Sequence, residues 1–248
     1  MISAGPAPAG PVLAVIGDIH AQTERLERVL DRIDQVGADA VLMVGDLACC
    51  GHETRRSAQT LHRYRGQVAR VLDQVRSRGR PFCFVPGNHD LAHLEDPANV
   101  DGRVVQVAGL RIAGVGGAGP DIFGFAYEWG EDEIRSRPTL QADVWVSHAP
   151  PRRTAIDLTH GGLHVGSEAV RELALRTHGV MVCGHIHEAP GMARLGDCMC
   201  LNAGALGAPF GRTQVGFVYG LDRLVYEDLD RGTRQEWLRD GADTLLPR

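Results

Sequence analysis

Residues 81–90 read Pro-Phe-Cys-Phe-Val-Pro-Gly-Asn-His-Asp, an apolar run that passes abruptly into small and polar residues. The apolar part, 81–86, predicts a buried strand, and the Pro86-Gly87 pair predicts that the strand stops and the chain turns. An amide, an imidazole and a carboxylate then follow the carboxyl end of the strand, where ligands bind in open α/β sheets. The stretch therefore predicts an α/β fold with a polar site at Asn88, His89 and Asp90.

Four other predicted strands end in the same way. Each is a short apolar run, at 12–16, 40–44, 143–146 and 179–183, followed by a motif rich in Asp or His. The four motifs are Gly17-Asp18-Ile19-His20, Gly45-Asp46, Ser147-His148 and Gly184-His185-Ile186-His187. Side chains two residues apart in an extended chain project to the same side, so one ion can take both groups of such a pair. Five strand ends of this kind predict one shared metal site.

The composition limits the classes of function. The chain has 248 residues, of which 44% are hydrophobic and 23% charged, as in an ordinary globular protein. A net charge of −5 disfavours a nucleic-acid partner. No apolar stretch approaches about 18 residues, which predicts no membrane span, and the lack of a signal peptide predicts a cytoplasmic protein.

The chain divides into three predicted parts. Residues 1–11, rich in Ala, Gly and Pro, predict a flexible tail. Residues 12–229 predict a single domain, because no repeat or linker interrupts them. Residues 230–248 predict a charged tail with a weak helix, packed through Trp237 and Leu238.

Local patterns predict the elements between the motifs. Helices are expected over 22–36, capped by Thr23, over 54–78, and over 168–177, capped by Ser167. A hairpin is expected at 104–113, and short antiparallel strands follow residue 191. The segment 120–138 is compatible with a surface flap over the site or with a packed loop.

The six cysteines are expected to be reduced. Cys83 and Cys183 lie within apolar strand runs, where cysteine behaves as a small hydrophobic residue. Cys49 and Cys50 follow Asp46 closely, and they either line the site or are simply buried thiols.

The types of residue in the motifs indicate the metal chemistry. Asp, His and Asn donors without a thiolate suit Mn, Fe or Zn better than Cu(I). Two ions about 3.5–4 Å apart need a shared ligand, and Asp46 can bridge because it is the only motif residue on its strand end. His89 can supply a proton to a leaving group, since imidazole titrates near neutral pH.

Together, in this order and across most of the chain, the five motifs resemble those of the calcineurin-like metallophosphoesterases. The resemblance implies a four-layer αββα sandwich of two mixed β-sheets flanked by helices. It also implies that Asp18, His20 and His187 hold one metal ion, that Asn88, His148 and His185 hold a second, and that Asp46 bridges them. A metal-bridging hydroxide would attack the ester, and His89 would be the leaving-group acid, oriented by a carboxylate for which Asp90 is the candidate.

Within the family, the closest resemblance is to small single-domain MPPED-type and Icc-like phosphodiesterases. Residues 45–50 lack the Arg that binds phosphate in Ser/Thr protein phosphatases, which argues against that activity. Asn202-Ala203-Gly204 matches the segment that follows the last motif in these enzymes. His164 is either a substrate-side residue or a loop histidine, and Glu188 either orients a ligand histidine or begins a turn.

Three functions are compatible with these motifs. The first is hydrolysis of a small or nucleotide phosphoester, with a diester preferred to a monoester. The second is a metal-dependent nuclease, which the acidic charge balance disfavours. The third is a non-catalytic scaffold for partner proteins, which the retained motif histidines disfavour.

Overall fold

The computed structural model describes residues 10–52, 54, 56–239 and 244–246. Its α-helices are α1 (Thr23–Val36), α2 (Ala58–Arg76), α3 (Glu131–Ser136) and α4 (Glu168–Leu175). Its strands are β1 (Val12–Ile16), β2 (Ala40–Met43), β3 (Phe82–Phe84), β4 (Val104–Val107), β5 (Leu110–Val115), β6 (Val144–Ser147), β7 (Val180–Cys183), β8 (Gly191–Leu195), β9 (Cys198–Asn202), β10 (Gln214–Tyr219), β11 (Arg223–Asp228), β12 (Thr233–Leu238) and β13 (Thr244–Leu246).

These strands form two mixed sheets. The first has the order β13-β12-β11-β10-β1-β2-β3, and the second has the order β4-β5-β6-β7-β9-β8. In the first sheet β1, β2 and β3 are parallel, while β10 to β13 pair antiparallel. In the second sheet β5, β6, β7 and β9 are parallel, with β4 and β8 antiparallel at the two edges.

The alternation of side chains along β1 shows why the layers stack as they do. Ala14 and Ile16 join the apolar cluster that packs the first sheet against α1 and α2. Leu13 and Val15 point the other way, into the cluster between the two sheets. A third cluster packs α3 and α4 against the outer face of the second sheet. The predicted four-layer αββα sandwich is therefore confirmed.

The helices follow their predicted patterns with one local difference. In α1, the residues Leu26, Val29, Leu30 and Ile33 are buried at helical spacing, and Gly37 ends the helix in the left-handed conformation. Thr23 does not cap this helix as predicted, because it is already the first helical residue and Gln22 occupies the cap position. Ser167 caps α4 as predicted, accepting a hydrogen bond from the Val170 amide.

The end of the chain differs from its prediction. The weak helix expected within 230–248 is wrong, because Thr233–Leu238 is strand β12, paired in register with β11. Trp237 packs against the apolar cluster between the sheets, whereas Leu238 is exposed. Pairing with the neighbouring strands outweighs the helical tendency of this short segment. The predicted flexible tail over 1–11 falls almost entirely outside the described residues.

Within the described part of the chain, no helix is long and apolar enough to cross a membrane. The six cysteines are free thiols, as expected, and Cys49 is the exposed one. Cys198 and Cys200 lie on one face of β9, with their Sγ atoms 3.8 Å apart.

Candidate metal centre

The strand ends of both sheets meet at one place, and four of the predicted metal ligands meet there closely. One ligand atom from each of Asp18, His20, Asp46 and His187 lies within 4.8 Å of every other. The closest pair is Asp18 Oδ2 and His187 Nε2, at 2.8 Å. Asp18 and Asp46 are buried, and His20 and His187 are nearly so.

The other three predicted ligands adjoin this group on the side of Asp46. His148 Nε2 lies 3.7 Å from Asp46 Oδ2 and 2.9 Å from Asn88 Oδ1. The rings of His148 and His185 have centroids 5.0 Å apart. Asp46 Oδ2 also lies 3.5 Å from His20 Nε2, so this carboxylate stands between the two groups of donors.

The hydrogen bonds behind the rings show that the donor set fits a metal ion. Nδ1 of His148 lies 2.9 Å from the Val44 carbonyl, and Nδ1 of His187 lies 2.8 Å from the Pro209 carbonyl. Because a carbonyl only accepts, each Nδ1 carries a hydrogen, and Nε2 is the atom that each ring directs toward the carboxylates and that can coordinate a metal ion when the ring is neutral. A cluster of imidazole nitrogens and carboxylate oxygens of this kind can hold a metal ion, and these donors suit Mn, Fe or Zn.

Burial keeps most of these imidazoles in the state that binds metal. It lowers the pKa of His20 to about 4 and the pKa of His185 to about 3, and it also lowers the pKa of His148. Burial acts on His187 as well, but the hydrogen bond to Asp18 and the charge of Asp18 outweigh it and raise its pKa. Neutral imidazoles are ready to coordinate without first losing a proton.

Backbone amides hold the two carboxylates in place. The His185 amide donates to both oxygens of Asp18, at 3.1 and 2.9 Å, and the His89 amide donates to Asp46 Oδ1 at 2.8 Å. Burial, followed by the nearby charges of Asp18 and Asp90, raises the pKa of Asp46 well above its usual range. A bound cation would favour the ionised form of this carboxylate.

Steric crowding explains why glycines precede the motif residues. A side chain at Gly87 would overlap the carboxylate of Asp46, and one at Gly184 would overlap the carboxylate of Asp18. His20, Asp46 and His185 have φ angles of 47°, 47° and 65°, in the left-handed region that non-glycine residues seldom occupy. Such strain concentrates at functional sites.

With this geometry established, the chain can be compared with known proteins. A family model described as calcineurin-like phosphoesterase matches residues 11–189, which include all five motifs. The chain belongs to the calcineurin-like phosphoesterase family. A curated relative, an uncharacterised protein of Methanocaldococcus jannaschii, is 29% identical over 151 residues, which are 55% of this chain and 69% of the relative.

Solved structures of low sequence identity share the fold of this calcineurin-like phosphoesterase. A dimetal phosphatase from Danio rerio has a TM-score of 0.61 at 12% identity, covering 96% of this chain and 98% of the other. A protein from Thermus thermophilus has a TM-score of 0.55 at 17% identity, covering 93% of this chain and 100% of the other. At such identities the likeness concerns the fold alone.

Asp90 does not orient His89 as the resemblance implied. The Asp90 amide donates to the Gly87 carbonyl, so the chain turns back and directs the carboxylate under the loop. There the carboxylate accepts hydrogen bonds from the Gly87, Leu47 and Ala48 amides and from the Tyr64 hydroxyl. The orienting role predicted for Asp90 is therefore wrong, and its contacts join the loops after β2 and β3.

Two residues for which the sequence left a place at the site open, Cys49 and Phe125, contact His89 instead. Cys49 Sγ lies 3.3 Å from Nδ1 of His89, and the Phe125 ring packs on the imidazole with centroids 4.2 Å apart. The closeness of Cys49 to Asp46 in sequence was the only signal for the first contact. Burial lowers the pKa of His89 to about 4.

His164 and Glu188 interact outside this centre. His164 Nδ1 lies 2.8 Å from Asp157 Oδ1, and its side chain is 40% exposed. Glu188 pairs with His160, at 3.4 Å, and does not orient His187, whose Nδ1 faces the Pro209 carbonyl. A substrate-side role for His164 stays a prediction.

A separate cavity of about 1180 Å³ lies between α3, α4 and the loop after β3, and none of the motif residues lines it. Three of the four Arg side chains in its wall are paired with carboxylates: Arg111 with Asp143, Arg135 with Glu172, and Arg137 with Asp101. The candidate site is therefore the metal centre and not this cavity.

Proposed function

We propose that this calcineurin-like phosphoesterase hydrolyses phosphodiesters at a pair of metal ions, with His89 as the proton donor to the leaving group. The observation that carries the proposal is the convergence of the Nε2 atoms of His148 and His187 on the buried carboxylates of Asp18 and Asp46. Such a donor set can hold a metal ion, and the family to which the chain belongs hydrolyses phosphoesters.

The ligands divide naturally around the carboxylate of Asp46. Asp18, His20 and His187 would hold one ion, and Asn88, His148 and His185 would hold the other. Asp46 Oδ2 would serve both, since it lies 3.5 Å from His20 Nε2 and 3.7 Å from His148 Nε2. When bound, two such ions polarise the phosphoryl group and lower the pKa of coordinated water.

The surroundings of His89 support a role as proton donor to the leaving oxygen. Its ring centroid lies 5.3 Å from that of His20, beside the metal cluster. Nδ1 faces Cys49, while Nε2 makes no hydrogen bond within the described part of the chain. That nitrogen can carry a proton to the departing oxygen, and the negative charge of a bound phosphodiester favours the protonated ring.

The charges around the centre favour a diester over a monoester. A monoester brings a second negative charge, which Arg side chains commonly bind in a bidentate manner. Among the described residues, no Arg makes a hydrogen bond or ion pair with any of the seven proposed ligands. A phosphodiester, with a single negative charge, needs no such partner.

The test is turnover by protein loaded with Mn²⁺, measured on bis-p-nitrophenyl phosphate and on p-nitrophenyl phosphate. We expect faster hydrolysis of the diester, and we expect activity to be lost on removal of metal. Faster hydrolysis of the monoester would contradict the diester preference. Hydrolysis of neither ester would favour the scaffold, and equally fast cleavage of single-stranded DNA would favour the nuclease.

A further inference from the structure

A row of rings leads from the metal centre to the surface. The ring of His187 is followed by that of His20 at 5.2 Å between centroids, and then by that of His89 at 5.3 Å. Phe125 follows His89 at 4.2 Å, and Phe123 follows Phe125 at 6.4 Å. The row therefore passes from the proposed ligands, through the proposed proton donor, to two phenylalanines.

The outer end of the row is accessible to solvent. Phe123 is 56% exposed, although large aromatic side chains are usually buried in a protein core. Phe125 is half-buried, and its ring also contacts that of His52 at 6.5 Å between centroids. Ile122 beside Phe123 is 73% exposed, and exposed apolar side chains that are grouped together mark binding surfaces.

The backbone holds this segment firmly on the site. The amides of Ala126 and Tyr127 both donate to the Asn88 carbonyl, at 3.1 Å each. The amides of Phe123 and Gly124 donate to the Glu128 carboxylate, at 3.0 and 2.9 Å. Of the two alternatives for 120–138, this part is a loop anchored to the site, with Phe123 exposed at its tip.

We infer that Phe123 and Phe125 form an aromatic wall that stacks against a nucleobase on the leaving-group side of the substrate. The inference rests on the proposed function, because the wall is located by its contact with His89, the proton donor. A planar base suits this surface because stacking on aromatic rings needs only a π-face. The substrate class is therefore a phosphodiester whose leaving alcohol belongs to a nucleoside.

Stacking on this aromatic wall does not depend on which base the substrate carries. Base–aromatic stacking tolerates any of the bases, since each has a flat π-face. The same wall would accept the base of a cyclic mononucleotide or that of a linear dinucleotide. Both substrates carry a nucleoside at the leaving oxygen, and an assay of each distinguishes between them.

The kinetic test compares two esters that differ only in the base. One is adenosine 3′,5′-cyclic phosphate, and the other is the same cyclic phosphate of methyl riboside, which lacks a base. For Mn²⁺-loaded wild type we expect kcat/KM to be about tenfold higher with the base, as one stacking contact supplies. Phe123→Ser and Phe125→Leu should bring this ratio close to one. Linear diadenosine phosphate, assayed in parallel, shows whether the substrate is a cyclic mononucleotide or a linear dinucleotide.

A matched control is Phe210→Ser. Phe210 is 48% exposed, and its ring packs on that of His160. The ratio should be unchanged in this variant. A ratio that stays the same in Phe123→Ser, or falls in Phe210→Ser instead, would overturn the aromatic wall.

A binding measurement separates this inference from the proposed function. Stacking should quench the fluorescence of 1,N6-ethenoadenosine when it binds metal-free wild-type protein, and the quenching should weaken in Phe123→Ser but not in Phe210→Ser. If the Mn²⁺-loaded enzyme hydrolyses no ester but quenching still weakens only in Phe123→Ser, the proposed function is wrong and the aromatic wall is supported. If the enzyme hydrolyses diesters and no quenching occurs, the wall fails alone.

Discussion

The Sγ atom of Cys49 lies 3.3 Å from Nδ1 of His89, at the position where a carboxylate had been expected. Cys49 is exposed, whereas the carboxylate of Asp90 is buried beneath the same loop. A thiol is a weak hydrogen-bonding group. The ring of His89 is therefore held partly by Cys49 and partly by packing against Phe125.

Replacing Cys49 by Ala should lower kcat for diesters with an alkoxide leaving group by about fivefold, since one hydrogen bond contributes about 1 kcal/mol. KM should change little, because Cys49 acts through His89. Cys49→Ser keeps a hydrogen-bonding group and should recover most of the rate. The nitrogen chemical shifts of His89 should move in the Ala variant, and unchanged shifts would show that the thiol does not position the ring.

Replacing His89 by Ala should lower turnover by about 10²–10⁴, the usual contribution of a general acid. The effect should be smaller on aryl phosphates, whose leaving groups need little protonation. Metal content, measured by elemental analysis, should stay near that of the wild type. A variant that loses metal together with activity would show that His89 acts as a ligand.

The metal centre was predictable because it depends on a rule of topology. Asp18 and Asp46 each follow a buried parallel strand, and the ends of parallel strands meet wherever the sheet forms. Cys49 and Phe125 obey no such rule, because both lie in loops whose course depends on partners distant in sequence. The loop of Phe125 is held by the Asn88 carbonyl, a contact that no local pattern encodes.

Two of the wrong predictions, the role of Asp90 and the helix near the end of the chain, have a similar origin. Asp90 was assigned from its position beside His89, but a turn at Gly87 directs its carboxylate away from the ring. The segment Thr233–Leu238 was short and charged, and its strand is defined by pairing with β11 and β13. In both places tertiary contacts outweigh local preference.

Replacing Asp46 by Asn should cost metal as well as rate, since the proposed ions share this carboxylate. Bound metal stabilises the folded state by mass action, so a chelator should lower the Tm of the wild type. The same chelator should shift the Tm of Asp46→Asn much less. Equal shifts in the two proteins, together with equal metal content, would exclude Asp46 as a ligand.

Asp157 should make stability depend on pH. The side chain is fully buried, which by itself raises its pKa, but hydrogen bonds from the Thr154 amide, His164 and the Gly166 and Arg153 amides prevail and lower it. A carboxyl group whose pKa is lower in the folded state stabilises the folded protein at pH values above its unfolded-state pKa of about 3.9. This stabilisation is lost as the pH falls through the folded-state pKa.

Asp157→Asn should therefore lower the free energy of unfolding at pH 7 by about 1–3 kcal/mol, because an amide leaves buried donors without an acceptor. Urea unfolding should show that the difference from wild type narrows below about pH 4. Asp132 provides the control, since its side chain is 98% exposed and Asp132→Asn should stay within about 0.5 kcal/mol. A difference that is constant from pH 7 to pH 3 would contradict this account.

Two glycines at opposite ends of β7 make it possible to distinguish an effect on the metal centre from a general effect of overpacking. A Cβ at Gly184 would overlap the Asp18 carboxylate, whereas a Cβ at Gly179 would overlap the Asp143 carbonyl, remote from the centre. Both Gly→Ala variants should be destabilised by about 1–3 kcal/mol through overpacking. Only Gly184→Ala should also bind metal more weakly, because Asp18 must move, and calorimetric titration with Mn²⁺ measures this. Equal losses of affinity in the two variants would mean that overpacking anywhere along β7 disturbs the site, and that the fit of Gly184 against Asp18 is not what holds the ligand in place.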